Sequence, residues 1–402
     1  MNTSPTQVLR NVRPMGGPTV DMLIRDARID SLVPAGTADK GLPTLLDGAG
    51  QLLLPGLVEA HVHFDKTLWN MPWRPNSAGP TRWHRITNEH AVLRDEVKVP
   101  VADRAGPLIE HCIARGSLYF RSHLDAQTLF GLKHIESMLE LRKRYAHLID
   151  LQFVCFPQGG MLSAPGTVDL MQQALELGVE VVGGIDPAVI DRDPVRALET
   201  IFGMAQRFNK PIDIHLHDLG DLGRWEIERI CDFTELHGMQ GRVVISHAYA
   251  LGAFPPADLE AVADRLAKLD ITILTCVPMH FTVPPVAMLR SRGVNVAAGS
   301  DGIRDAWGPT GNGDMLERAM LMSLRYGWGK DAQLADALDV VTRGGAKALG
   351  LMKDYGLEPG CMANMVLLPA ENVAEAVIAR DPRRTVISRG KVVARDGVFL
   401  GI

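Results

Sequence analysis

The sequence predicts an α/β protein: a (β/α)8 barrel accompanied by a small β domain contributed by both chain ends. Three observations carry that prediction. Eight short apolar runs recur through the middle of the chain, evenly spaced after a longer first interval. Amphipathic stretches with apolar residues at i, i+3 and i+4 fill the gaps between them. The head and the tail carry short alternating segments punctuated by glycine and proline instead.

In chain order, TVDMLIRDARIDSLVPAG (19–36) alternates apolar and polar residues and reads as short strands of a small sheet. The run GAGQLLLPGLVEAHVHF follows, and its apolar stretch ends in polar residues, as a buried strand does when it delivers side chains to a site. Barrel strands are expected at 57–64, 117–125, 150–156, 179–185, 211–217, 242–248, 270–276 and 294–300. Helices are expected at 168–178, 195–208 and 258–269, with Gly178 and Pro211 as stop signals beyond the first two. Repeated strand–helix units imply a parallel sheet, and eight of them fit a closed TIM barrel better than an open sheet. Residues 355–370 and 385–397 again read as short strands with turns. The expected division is therefore 55–350 for the barrel, with 1–54 and 351–402 together forming a small β-sandwich domain.

Composition narrows the function classes. With 42 basic and 47 acidic residues and a net charge of −5, the chain is not a general nucleic-acid binder. Its five cysteines include no C-x-x-C pair, which argues against a thiolate zinc site or a disulfide framework. No stretch approaches the ~20 apolar residues needed to cross a bilayer, and the N-terminus lacks an apolar signal core. The expectation is a soluble cytoplasmic protein with no membrane or nucleic-acid partner.

Chemistry-bearing residues collect at strand ends. His61 and His63, in HVHFDKT, end the first barrel strand, and residues i and i+2 of a strand share a face. His215 and His217, in DIHLHDLG, repeat the device at the end of the fifth strand. His247 ends the sixth strand, and Asp301 lies just past the eighth. In a parallel barrel all these ends open on one face, where such proteins place catalysis. Four strands delivering imidazoles and a carboxylate to one mouth point to a bound metal.

The motifs PGLVEAHVHFDK, DIHLHD, VISHA and GSDGIRDAWGPTGNGDM together resemble the amidohydrolase superfamily. Within it the chain is most similar to the cytosine deaminase group, on the branch that acts on isopropylammelide, an s-triazine. The resemblance implies one divalent metal ion, Zn²⁺ or Fe²⁺, held by His61, His63, His215 and Asp301. It makes His247 the group beside the attacking water and Asp301 the acceptor of that water's proton. The fourth strand, VEVVGGIDPA, has no lysine to bridge a second metal, so a mononuclear site is expected. Cytosine deaminase itself has a glutamate where this chain has Asp218, and His217 stands two residues after His215; His217 is expected as the acid–base or substrate-contact group, with Asp218 as its rival. Gln158 matches a glutamine that reads the heterocycle, and an amide offers both a donor and an acceptor. Trp307 is expected as a flat wall, with Asp305 and Asn312 bracing its loop. Lys66 is read equally as a substrate contact or as a loop salt bridge. His123 and Asp125 are expected to orient ligands, Trp69, Trp73 and Trp83 to pack within the long first loop, and residues 314–329 to form a core helix.

The implied activity is hydrolytic removal of an amino or alkylamino group from a nitrogen heterocycle such as a pyrimidine or s-triazine, with a small-molecule heterocyclic substrate and a homo-oligomer allowed. The alternatives are a cyclic-amide hydrolase of the hydantoinase or dihydroorotase type, and a catalytically silent metal-binding relative.

Overall fold

A computed structural model describes residues 5–401. Its barrel is an eight-stranded sheet in sequential order, formed by Leu57–Val62, Ser117–Asp125, Asp150–Phe156, Val181–Ile185, Ile212–Leu216, Val243–His247, Thr272–Thr275 and Val296–Ala298. Every pairing within it is parallel. Val58, Phe120, Val154, Ile214, Ile245, Leu274 and Ala297 are all fully buried or nearly so. A near-continuous apolar run per strand is what two covered faces demand.

Each strand lies within its expected range; the second and third match it residue for residue, and the others are shorter. The expected helices appear as Thr167–Glu176, Pro194–Phe208 and Pro256–Lys268, and the Met-rich segment as Met315–Tyr326. Asp193 caps the second of these by accepting from the Arg196 N–H, and Asn209 ends it in the left-handed conformation.

The first and eighth strands meet through Asp301, whose N–H donates to the His61 carbonyl at 2.9 Å and which pairs with Val62. Gly299 makes this approach possible, because a Cβ there would lie 2.5 Å from the His61 carbonyl oxygen. Glu59, fully buried, reinforces the seam by accepting from the backbone N–H and the hydroxyl of Ser300 at 2.8 and 2.5 Å.

The two terminal segments build the expected small β domain, whose strands form one continuous eight-stranded sheet. Its order runs from Val398–Phe399 through Lys391–Arg395, Thr385–Ser388 and Met365–Leu368 to Thr44–Pro55, then Gln7–Pro14, Val20–Arg25 and Arg28–Pro34. Met365–Leu368 pairs antiparallel with Thr44–Pro55, joining tail to head. This sheet carries its own apolar core, which includes Leu9, Met22, Ile24, Leu53, Met365 and Ile387. The strand Gln7–Pro14 was not expected. Its run QVLRNVRP alternates only loosely, and Asn11 stands in the left-handed region where its register shifts.

The long first loop holds an unanticipated helix, Arg82–Ala91, followed by a single wide turn at Val92–Glu96. Thr81 caps the helix by accepting from the His84 N–H. Trp69 packs inward, 4.7 Å from the His111 ring, whereas Trp73 and Trp83 face solvent.

Candidate metal centre

Four imidazoles and one carboxylate converge at the C-terminal mouth of the barrel. His61 Nε2 and His63 Nε2 lie 3.8 and 3.3 Å from Asp301 Oδ1. His215 Nε2 lies 3.4 Å from His63 Nε2. His61, His215 and His247 also bring ring nitrogens within 4.8 Å of one another.

The hydrogen bonds behind these rings fix where their lone pairs point. His63 Nδ1 faces the His123 carbonyl at 3.2 Å. A carbonyl only accepts, so Nδ1 carries the proton and Nε2 is left with its lone pair. Arg121 pairs with Asp213 at 2.9 Å, and the Ser246 hydroxyl donates to that carboxylate at 2.6 Å. The Ser246 oxygen is then free to accept from His61 Nδ1, 3.1 Å away. The Nε2 of His61 therefore also carries a lone pair, and it is buried with no hydrogen-bond partner. Burial, with repulsion from the neighbouring imidazoles, holds His61 and His215 well below the usual histidine range, so both are neutral. Neutral nitrogen lone pairs aimed at one carboxylate, without protons between them, are a donor set for a divalent cation.

The groups around this set are held by the loops. His247 stacks on His217, with centroids 4.2 Å apart, and burial beside His217 pushes it down to about 3. Its Nδ1 lies 3.4 Å from the Tyr249 hydroxyl, a neighbour the sequence did not flag. His247 and Asp301 have φ of 72° and 65°, conformations that side chains rarely adopt and that cluster at functional sites.

The fifth strand ends at Leu216, so His217 and Asp218 belong to the following loop. Asp186, just past the fourth strand, accepts from the His217 backbone N–H at 2.7 Å and holds its Nδ1 at 2.9 Å. Asp218 turns to Arg82, at 2.8 Å, and Arg82 also reaches Asp186 at 2.5 Å. Asp186 and Arg82 escaped the sequence reading. Asp186 stood in a position like that of Asp301, immediately after a strand end, and that was a usable signal.

Lys66 is buried, 3.3 Å from Glu89 and 3.8 Å from Asp125. Gln158 donates to Glu89 at 2.6 Å. Trp307 packs against Ile86, Phe156, Ile185 and Ile190, and Asp305 braces its loop by accepting from the Trp307 and Gly308 N–H groups. Asn312 accepts from the Asp314 N–H and donates to Glu317. His123 stacks over His61 with centroids 4.0 Å apart, and neither of its ring nitrogens has a hydrogen-bond partner. Asp125 lies with Lys66, His90 and Gln127, one layer from the histidines. The fourth strand, Val181–Ile185, carries no ionisable side chain.

A parallel barrel with neutral imidazoles and a carboxylate gathered at its C-terminal mouth defines the class of metal-dependent barrel hydrolases. The chain belongs to the amidohydrolase family, whose description matches residues 107–394. N-isopropylammelide isopropyl amidohydrolase of Pseudomonas sp. (strain ADP) is 31% identical over 362 residues, which cover 88% of this chain and 89% of that one. The crystal structure of N-isopropylammelide isopropylaminohydrolase from Burkholderia multivorans ATCC 17616 is 40% identical with a TM-score of 0.95, covering 99% of this chain and 100% of that one. That of 5-methylcytosine deaminase from Klebsiella pneumoniae, liganded with 5-fluorocytosine, is 28% identical with a TM-score of 0.84, covering 97% of each chain. These relatives are hydrolases and deaminases that act on C–N bonds of nitrogen heterocycles. No helix among the described residues is long and apolar enough to cross a membrane.

Proposed function

We propose that this protein is a metal-dependent hydrolytic deaminase that removes an amino or alkylamino group from a planar nitrogen heterocycle, with residues 55–350 as the catalytic unit. The observation that carries the proposal is the convergence of the His61 and His63 lone pairs on Asp301, in a chain whose relatives act on ammelide and cytosine rings. His61, His63, His215 and Asp301 would hold one Zn²⁺ or Fe²⁺. When bound, that cation supplies the Lewis acidity that makes a water nucleophilic near neutral pH.

The chain's own groups supply the rest. Asp301 Oδ1, between His61 and His63, accepts a proton from the attacking water. His247, kept neutral by burial, stabilises the centre under attack. His217, stacked on His247 and oriented through Nδ1 by Asp186, carries the proton to the ring or to the leaving amine at its Nε2. Trp307, packed against Phe156, closes the apolar side, and Gln158, with Lys66 buried beside it against Glu89, supplies the polar contact to the ring. The fourth strand's lack of a lysine favours this reading over a cyclic-amide hydrolase with paired metals.

Two measurements test the proposal. Metal analysis of saturated protein should return one catalytic equivalent per chain, and a reproducible value of two would remove the mononuclear site. Amino- and alkylamino-substituted triazines and pyrimidines, incubated in ¹⁸O-labelled water, should gain one labelled oxygen and release ammonia or an amine. A ring-opened product bearing a new carboxylate would replace the deaminase with a ring-opening hydrolase.

A further inference from the structure

The sixth strand ends in a reversal that turns the chain back on itself. The Ala248 N–H donates to the Ser246 carbonyl at 3.0 Å, and His247 and Ala248 both stand in the left-handed region, with φ of 72° and 47°. So tight a turn is strained, and it lays the side chain of residue 249 against the ring of residue 247. The Tyr249 hydroxyl lies 3.4 Å from His247 Nδ1, with the ring centroids 5.4 Å apart. The loop after the seventh strand pins the tyrosine in place. Phe281 stacks on it at 5.2 Å, and the Thr282 hydroxyl donates to its carbonyl at 2.7 Å. Gly252, in the turn that Tyr249 opens, admits the Val283 backbone, whose carbonyl oxygen would lie 2.5 Å from a Cβ there.

The contact between tyrosine and histidine has a direction. Tyr249 is 6% exposed, and among the described residues His247 Nδ1 is the only hydrogen-bond partner of its hydroxyl. A hydroxyl that accepted from an Nδ1–H would leave its own proton buried without an acceptor. Donation to a bare Nδ1 removes that cost. His247 is fully buried among the rings of His61, His215 and His217, where a charged imidazole is disfavoured. The single proton of the neutral ring therefore sits on Nε2. The two ring nitrogens point apart, so Nε2 turns away from the tyrosine, and it is buried with no hydrogen-bond partner. His61 and His63 are held the opposite way, with the proton on Nδ1 and a bare Nε2. One cluster thus contains imidazoles of both tautomers.

We propose that Tyr249 is a positioning residue: its hydroxyl holds His247 in the tautomer that carries its proton on Nε2, which withholds that nitrogen from the cation and keeps it as a hydrogen-bond donor to the substrate. An N–H aimed into the site stabilises the oxygen that gains charge on the attacked carbon. This role in turnover rests on the deaminase reading given above, whereas the tautomer itself does not.

The tautomer is read by ¹⁵N NMR of the full chain loaded with Zn²⁺, with the histidines ¹⁵N-labelled and the His247 signals assigned by their loss in His247→Asn. The wild type should show His247 with Nε2 protonated and Nδ1 bare. Tyr249→Phe keeps the ring and its stack on Phe281 and removes only the hydroxyl. Nothing then opposes a proton on Nδ1, the Nε2 lone pair is released toward the cation, and the His247 signals should move to the Nδ1–H form. With the substrate that the ¹⁸O screen identifies, kcat of this variant should fall by about tenfold or more, with KM and zinc content unchanged. A wild-type ring with its proton on Nδ1 would overturn the proposal. So would a Tyr249→Phe protein that keeps the wild-type His247 signals, because another group would then fix the ring, or one whose kcat stays within about twofold of wild type. The wild-type spectrum is decisive on direction even if the variant does not fold. It is recorded without turnover, so a negative ¹⁸O screen beside the expected tautomers would overturn the reaction and leave the hold on His247 standing.

Discussion

Neighbouring residues in the sequence can serve different partners, and His217 and Asp218 do. His217 stacks on His247 and is gripped through both its backbone and its Nδ1 by Asp186. Asp218 faces Arg82 and is turned from the histidine cluster. If proton transfer runs through His217, His217→Asn should lower kcat by roughly 10²-fold, the range of a positioned acid–base group. Asp218→Asn, which keeps an acceptor for Arg82, should change it by less than about tenfold on the same scale. Steady-state kinetics on the two variants decides the matter, and the reverse order would move the proton to Asp218. The histidines were legible in the sequence because each lies at, or within a residue of, the end of an apolar strand run. Glu89 and Arg82 were not legible. Their partners lie 69 and 136 residues away, and no local pattern announces a contact made only when loops fold over a barrel.

At the scale of elements, the barrel strands were the most readable part of the chain, because a strand buried on both faces is a compact apolar run with sharp ends. Helix Arg82–Ala91 was the least readable. Its sequence RWHRITNEHA is polar and rich in moderate helix formers, and it is held by ion pairs and hydrogen bonds to the mouth more than by an apolar stripe. A second helix, Gly220–Leu236, contributes a buried acid to the same network. Glu226 accepts from the Ala188 N–H at 2.9 Å, and its Oε2 and Asp218 Oδ2 are both buried without a formal donor. Burial first, and Asp218 second, push the Glu226 carboxyl up to about 9. Folding therefore takes up a proton wherever the unfolded carboxyl is ionised. The resulting stability is fully present below the unfolded value near 4.5 and is lost as pH rises toward 9. Glu226→Gln replaces the shared proton with an amide N–H and keeps the acceptor for Ala188. The variant should match wild type near pH 5 and melt at a higher temperature at pH 8 to 9. A wild-type melting temperature that exceeds the variant's by more at pH 9 than at pH 5 would show that Glu226 is ionised in the folded protein.

Across the whole molecule, the small sheet and the barrel are joined by a buried ion pair. Arg384, fully buried, grips Asp314 through two hydrogen bonds of 2.9 and 2.8 Å and also donates to the carbonyls of Arg115, Asp381 and Arg380. Asp314 caps helix Met315–Tyr326 at the far end of the loop that begins with Asp301 and Trp307. Arg384→Met leaves that carboxylate buried and unpaired, which costs about 3–5 kcal/mol. Denaturant unfolding should detect the loss, and adding Asp314→Leu should return much of it. A change below about 1 kcal/mol in the single variant, the range of an exposed pair, would mean that water reaches Asp314 when the arginine is gone.

The sheet built from both chain ends imposes an order on biosynthesis. Strand Thr44–Pro55 leaves the ribosome early, with Leu52, Leu53 and Leu54 along it, and can pair at once with Gln7–Pro14 on one side. Its other edge waits for Met365–Leu368, which is made only after the entire barrel. Throughout that interval the nascent chain carries an open, leucine-rich strand edge, the kind of template on which unfinished chains stick to one another. Strand Met365–Leu368 therefore acts as a seal: a chain cut short before it holds every proposed metal ligand and the means to aggregate.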